Sequence, residues 1–403
     1  MSLCLVCRSN QTELLLDFGR QPVSSHFMAA PDLPFVEHDL ALAFCRHCGV
    51  VQLAQPFPFA DLVPPYEWMT YREPEDHLDT VVDRICRLPG LTKDSKIAGI
   101  SFKDATTLRR MRDRGYSKTW SLDLREDLGA VGRNASIESI QALLTPAKAA
   151  EIAARRGTVD LLIVRHILEH AESPHRLVIA LSALLSAGGH IVLEVPDCTA
   201  NLKRQDYSMV WEEHAIYFTP ETLPQVLPAA GCIDRGHEIH PFPFEDVIVL
   251  YAQKSSAAGA AATPPAGAIE RNGSPARQYA AAFNDWTARY RAVLAELTAD
   301  GRRLAAYGAG HLTCAFINLH GLSDYFAFVV DDTPHKQGLY LPKARLPIVP
   351  RTCLVAEKIS ACLFGLTPQL EDRIIANNGE FSRDGGKFYS MFVDSPRSIR
   401  GLL

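Results

Sequence analysis

No stretch of the 403 residues reaches the roughly 18 consecutive apolar side chains that cross a bilayer, so a membrane-spanning helix is not expected. Basic runs are also missing. Lysine and arginine number 41 against 46 acidic residues, a net charge of −5, and positive charge gathers only in pairs such as Arg302-Arg303. A nucleic-acid backbone demands more than that, so nucleic acid is excluded as an expected partner. The opening MSLCLVCRSNQ has no basic segment leading into an apolar core and a cleavage site, and a cytoplasmic location is expected. In that reducing compartment the ten cysteines are thiols or metal ligands before they are disulfides.

Four of those cysteines form two Cys-x-x-Cys pairs, Cys4 with Cys7 and Cys45 with Cys48. Two residues between thiolates let one tight turn offer both sulfurs to a tetrahedral ion, and two such turns close a four-thiolate Zn2+ site. A site with four thiolates has no open coordination position, so its role is to hold the fold. His47, inside the second turn, reads as a surface residue. The short apolar runs between the pairs read as strands, giving a metal-stapled module over residues 1–65.

Residues 66–254 alternate short apolar runs with helical patterns. The runs KIAGI (96–100), TWSLDL (119–124), VDLLIVR (159–165) and GHIVLEVPD (189–197) read as strands of a parallel, doubly wound α/β sheet. The clearest helix follows Ser173 and Pro174, carries Leu177, Leu181, Leu184 and Leu185 on one stripe, and ends at Gly188. Ligands in such sheets bind at the carboxyl ends of strands, which singles out Gly99 to Asp104, Asp123 and the RHILEH segment. An acidic residue there suits ribose hydroxyls, so Asp123 is a candidate cofactor ligand, with a solvated loop aspartate as the alternative.

Residues 255–276 are rich in Ala, Gly, Ser and Pro and read as a linker. Residues 277–403 follow as a second α/β domain. Tyr279, Phe283, Trp286, Tyr290, Leu294 and Leu297 recur at helical steps and predict a packing helix. Gly308 and Gly310, in AAYGAG, can turn backbone N–H groups toward a phosphate, and Asp331 and Asp332 end the next strand where a ribose can sit. A purely structural domain is the competing reading.

Several stretches together resemble the zinc-containing sugar C-methyltransferases of deoxysugar and antibiotic biosynthesis. They are LLDFGRQPVSSHF with LAFCRHCGVVQLAQPF, the run from DLLIVRHILEH to IVLEVPD, WEEHAIYFTPETLPQVLPAAG, and AAYGAG through VVDDTPHKQGLYLPKARLPI. The resemblance implies a zinc module, a Rossmann-like domain binding S-adenosylmethionine (AdoMet) and a second Rossmann-like carboxy-terminal domain, in a monomer or homodimer. It implies methylation beside the keto group of a nucleotide-linked sugar, through an enolate made by a protein base. On that basis His214 is the base, Glu213 its orienter and Tyr217 a nearby hydroxyl. His170 sits at the substrate, and Tyr66, eleven residues before His77, takes the place of a family tyrosine near the sugar. Gly99, Ser101, Asp104, Asp123 and His166 fall at cofactor positions.

The sequence departs from the family in three places. EWMTY (67–71) replaces a serine-rich stretch, and Pro241, Pro243 and Phe244 stand where small residues are expected, so substrate choice is expected to differ. The cofactor loop has Ser101 and Ala105 at the glycine positions, although Asp104 is retained. If those positions require φ > 0, each non-glycine costs roughly 1–2 kcal/mol and together they weaken cofactor binding about ten- to several-hundredfold. The same base also serves an AdoMet-independent isomerase or epimerase. A noncatalytic sugar-nucleotide binder is a third reading.

Overall fold

The structure, a computed structural model, describes residues 3–63, 65–66, 75–130, 137–242, 245–255, 264 and 266–403. The EWMTY departure and Pro243 and Phe244 lie outside these residues. The chain divides into two units. One comprises Met1–Leu15, Leu42–Thr199 and Glu213–Ser274, the other Leu16–Ala41, Ala200–Glu212 and Pro275–Leu403. Among the described residues, no helix is long and apolar enough to cross a membrane.

The first unit is built on a six-stranded sheet in the order Thr119–Ser121, Ile97–Gly99, Val159–Arg165, Leu185–Asp197, Asp246–Lys254, Cys232–His240. Its first four strands are parallel, and their apolar runs are buried because helices cover both faces of such a sheet. The last two strands form an antiparallel hairpin on Leu185–Asp197, so the sheet is mixed where the sequence predicts it parallel. Only residues 241–245 join that pair, and a connection so short permits only an antiparallel return. The helix Pro174–Leu184 buries Leu177, Leu181 and Leu184 as expected. It stops before Gly188, because the chain enters the strand Leu185–Asp197 directly.

A four-stranded sheet joins Thr12–Pro22, Glu37–Cys45, Val51–Leu53 and Ile216–Tyr217. The last pairing is between distant parts of the sequence: Val51 lies opposite Tyr217, and the Leu53 N–H donates to the Ala215 carbonyl at 2.9 Å. The segment carrying His214 is thereby hydrogen-bonded to the strand that leaves the second cysteine pair.

The second unit carries five parallel strands in the order Ile348–Val349, Phe326–Val330, Arg303–Tyr307, Ile359–Phe364, Lys387–Ser390. The helix Ala268–Leu297 starts within the stretch read as a linker and contains Pro275. Tyr279, Phe283, Tyr290 and Leu294 are buried, the packing face the periodicity predicts. In this strand order the ligand crevice belongs between Arg303–Tyr307 and Ile359–Phe364, where the strand sequence reverses. Thr313 Oγ1 donates to the Gly308 carbonyl at 2.5 Å, and a Cβ on Gly365 would lie 1.8 Å from the same oxygen.

The AAYGAG loop is satisfied from within. The Ala309 N–H donates to Asp331 Oδ2 at 2.8 Å, Lys336 Nζ donates to the Ala309 carbonyl and Asp331, and the Tyr307 hydroxyl donates to Asp332. Asp331 and Asp332, read as ribose ligands, are thus both engaged with this loop. Gly365→Ala is expected to destabilise the protein by about 2–3 kcal/mol through overpacking against Thr313, while Gly379→Ala, with nothing within 4 Å of the new methyl, leaves the urea midpoint unchanged or raised.

Candidate active site and metal centre

The four cysteines of the paired motifs converge. Cys4 Sγ lies 3.7 Å from Cys48 Sγ, Cys7 Sγ lies 3.6 Å from Cys45 Sγ, and all four sulfurs are within 4.8 Å of one another. Four thiolates around zinc at about 2.3 Å stand roughly 3.8 Å apart along the edges of the tetrahedron, so the set fits Zn2+ without rearrangement. The local folding is that of a metal turn. The Cys7 N–H points at Cys4 Sγ at 3.5 Å, the Gly49 N–H donates to the Cys45 carbonyl, and Gly49 takes φ +80, a conformation glycine reaches without strain. Cys4, Cys45 and Cys48 share a buried cluster with Ile100, Leu193, Ile216 and Phe218, so the metal would be fastened into the core of the first unit.

Asp104 organises the loop after the strand Ile97–Gly99. Its fully buried carboxylate accepts the N–H groups of Ile100 at 2.6 Å, Ser101 at 2.8 Å and Arg165 at 2.9 Å. A Cβ on Gly99 would sit 2.7 Å from the Asp104 Cβ, so this glycine is needed for close approach. Burial pushes the Asp104 carboxyl up to about 7, against the pull of those N–H groups and of Arg165. Ser101 is extended at φ −134 with its hydroxyl capping Lys103, and Ala105 is helical at φ −58. Neither position has positive φ, so the strain expected for the missing glycines is not incurred.

Asp123 follows the strand Thr119–Ser121 and is exposed. One of its oxygens accepts the N–H groups of Glu126 and Arg125, which lower its carboxyl from the usual value. An unstrained loop at one strand end and an exposed carboxylate at the next fit a ribose-bearing cofactor.

His166 follows the strand Val159–Arg165. It is buried at φ +49, with Nδ1 3.2 Å from Glu169 Oε1 and Nε2 3.1 Å from Glu194 Oε1. Glu194 is the hub of a buried network: Arg165 reaches both of its oxygens at 2.9 Å, and His77 Nε2 lies 3.2 Å from Oε2. Burial alone would raise the Glu194 carboxyl, but His166, His77 and Arg165 hold it well below the carboxylate range. Arg165 also donates to the Lys103 carbonyl at 2.5 Å, tying this network to the Asp104 loop. His77 packs in turn on His240 and Phe242, with ring centres 4.9 Å and 5.2 Å away.

His170 and His214, separated by 44 positions in the sequence, come together with ring centres 4.7 Å apart and planes at 83°. A carboxylate oxygen of Glu169 and a nitrogen of each ring lie within 4.8 Å of one another. Glu213 is buried and Tyr217 is 1% exposed in its strand pair with Val51. Tyr66 is half-buried, and that burial raises its phenol.

Three family models match consecutive parts of the chain: a "Putative zinc binding domain" over residues 4–62, a "Methyltransferase domain" over 100–233 and a "C-methyltransferase C-terminal domain" over 270–392. The C-methyltransferase NovU of Streptomyces niveus is 26% identical over 410 residues, covering 98% of this chain and 96% of that protein. These matches, end to end along the chain, make it a methyltransferase similar over nearly its whole length to a C-methyltransferase, with a zinc-binding domain in front. Among solved structures, 1,6-didemethyltoxoflavin-N1-methyltransferase of Burkholderia thailandensis is 14% identical at a TM-score of 0.34, covering 53% of this chain and 96% of that one. Magnesium protoporphyrin IX methyltransferase of Synechocystis is 15% identical at a TM-score of 0.30, covering 45% of this chain and 79% of that one.

Sequence reasoning about this methyltransferase overlooked Glu169, Glu194 and Arg165. A signal for two of them was present: Glu194 interrupts the apolar run IVLEVPD and Arg165 ends DLLIVR, and a charge inside a buried strand has to find a partner. In this methyltransferase, one zinc per chain is expected by elemental analysis, and Cys45→Ser should lose the metal and at least about 3 kcal/mol of stability. Asp104→Ala orphans three buried N–H groups and should cost about 3–5 kcal/mol in urea denaturation.

Proposed function

We propose that this methyltransferase uses AdoMet to methylate the carbon beside the keto group of a nucleotide-linked ketosugar. The observation that carries the reading is the buried His170/His214 pair, placed beyond the carboxyl end of the strand Val159–Arg165. A carbonyl acidifies the neighbouring C–H bond, and an imidazole titrating near neutrality is the side chain suited to remove that proton. His214 takes the proton, leaving the electron pair as an enolate. His170, across the pair, donates to the enolate oxygen and stabilises the charge as it develops. Glu213 orients His214, and the Tyr66 and Tyr217 hydroxyls serve the sugar. AdoMet, when bound, supplies a sulfonium methyl to the enolate carbon, the C–S electron pair leaving on sulfur. Asp123 takes its ribose hydroxyls, and the loop from Gly99 to Asp104 shapes the adjoining wall.

Two measurements test this reading. Calorimetry should show micromolar AdoMet binding, and absence of binding at millimolar AdoMet would leave enolate chemistry without methyl transfer, as in an isomerase. His214→Ala should abolish solvent-deuterium exchange at the carbon beside the keto group while AdoMet affinity stays within about twofold. Exchange retained in that variant removes His214 from the base role.

A further inference from the structure

The carboxylate that the structure places with the histidine pair is Glu169. One of its oxygens meets a nitrogen of each ring within 4.8 Å, a grouping that does not include the Glu213 carboxylate. Glu169 is 1% exposed; its Oε1 lies on His166 Nδ1, and its Oε2 is buried without a hydrogen-bond partner. A buried carboxylate oxygen with no donor is costly unless a charge nearby compensates, and an imidazole that gains a proton is such a charge.

His166 is fixed from both sides, because each ring nitrogen faces a carboxylate oxygen, Glu169 at 3.2 Å and Glu194 at 3.1 Å. A hydrogen must lie in each of those contacts, so the Glu169, His166 and Glu194 trio holds one proton more than a neutral imidazole between two carboxylates. Arg165 neutralises Glu194 from behind at 2.9 Å, and His77 lies on the same carboxylate. The rare φ of His166 is the backbone cost of placing its ring between the two acids.

Resting on the base role of His214 proposed above, we infer that Glu169 is the positioning residue that sets the proton affinity of His214, and that His166 tunes it through the proton it shares with Glu169. The charged and titratable groups facing Glu169 are His166, His170, His214 and Cys198, with Asp197 and Glu245 nearby; Glu194, Arg165 and His77 form the layer behind. Glu213 adjoins His214 in the chain.

A carboxylate beside an imidazolium favours the charged ring, so neutralising it makes the ring easier to deprotonate. Glu169→Gln keeps the shape and should lower the midpoint of the exchange-against-pH profile by about one pH unit, a tenfold change in proton affinity. His166→Gln withdraws the shared proton, leaves Glu169 with its full charge and should raise that midpoint by about half a unit. Opposite signs distinguish the inference from a loosened site, which would move both variants the same way. Should Glu169→Gln fail to fold, the sign of the His166→Gln shift decides.

The His214 ring titrated by NMR in the full-length protein, without substrate or AdoMet, should show the same two shifts. That readout stands even for a protein that neither binds AdoMet nor exchanges the substrate. An unchanged His214 midpoint in Glu169→Gln, or a larger shift in Glu213→Gln, overturns the inference.

Discussion

The meeting of two distant chain segments at the four thiolates is the constraint on which the first unit depends. Residues 4–7 and 45–48 share one tetrahedral ligand set, and the strand Val51–Leu53 leaves it directly. Besides Glu37–Cys45, that strand pairs with the short strand Ile216–Tyr217, which begins two residues after His214. Gln52 ties the arrangement together, accepting the Leu5 N–H at 2.8 Å from within the first cysteine turn. A metal with no open coordination position therefore still bears on the chemistry. It fixes the strand to which the segment carrying His214 is hydrogen-bonded.

A second constraint is electrostatic. Arg165, Glu194, His166, His77 and Glu169 are almost wholly removed from water, and removing such groups singly from water is unfavourable by several kcal/mol each. Replacement by apolar side chains would often stabilise a fold as well, so the network is weak evidence for stability alone. Its position is more informative. It lies where the strands Ile97–Gly99, Val159–Arg165 and Leu185–Asp197 end, and the backbone of the candidate cofactor loop is tied into it by Arg165 at Lys103 and Asp104. The loop and the histidine pair thus share one rigid polar foundation.

Legibility in the sequence followed the range of the interactions. Strand alternation, the cysteine pairs and the aromatic stripe of Tyr279, Phe283 and Tyr290 are local patterns, and the structure contains each of them. The mixed sheet escaped because Cys232–His240, with charges at Asp234, Arg235 and Glu238, does not read as an apolar run. His166 follows a strand end, and its partner Glu194 is 28 residues away on the neighbouring strand, a pairing that only sheet register reveals. In the Gly308 and Gly310 motif, the ties from Ala309 to Asp331 and Lys336 likewise join residues more than twenty positions apart.

In the loop from Gly99 to Ala105, residue identity and backbone requirement have to be separated. Glycines in such a loop are usually explained by positive φ or by close approach, and the two demands have different remedies. Here the turn is made with ordinary backbone angles at Ser101 and Ala105, because a carboxylate three residues beyond Ser101 gathers the N–H groups that point inward. Close approach is the demand that survives, and it has moved to Gly99, where Asp104 leaves no room for a side chain. The loop is held by a buried acid poised near neutrality, so its integrity is tied to protonation as a glycine turn would not be. In this chain a buried carboxylate does what a glycine turn would otherwise do, and the backbone N–H of Arg165 is among the groups it gathers.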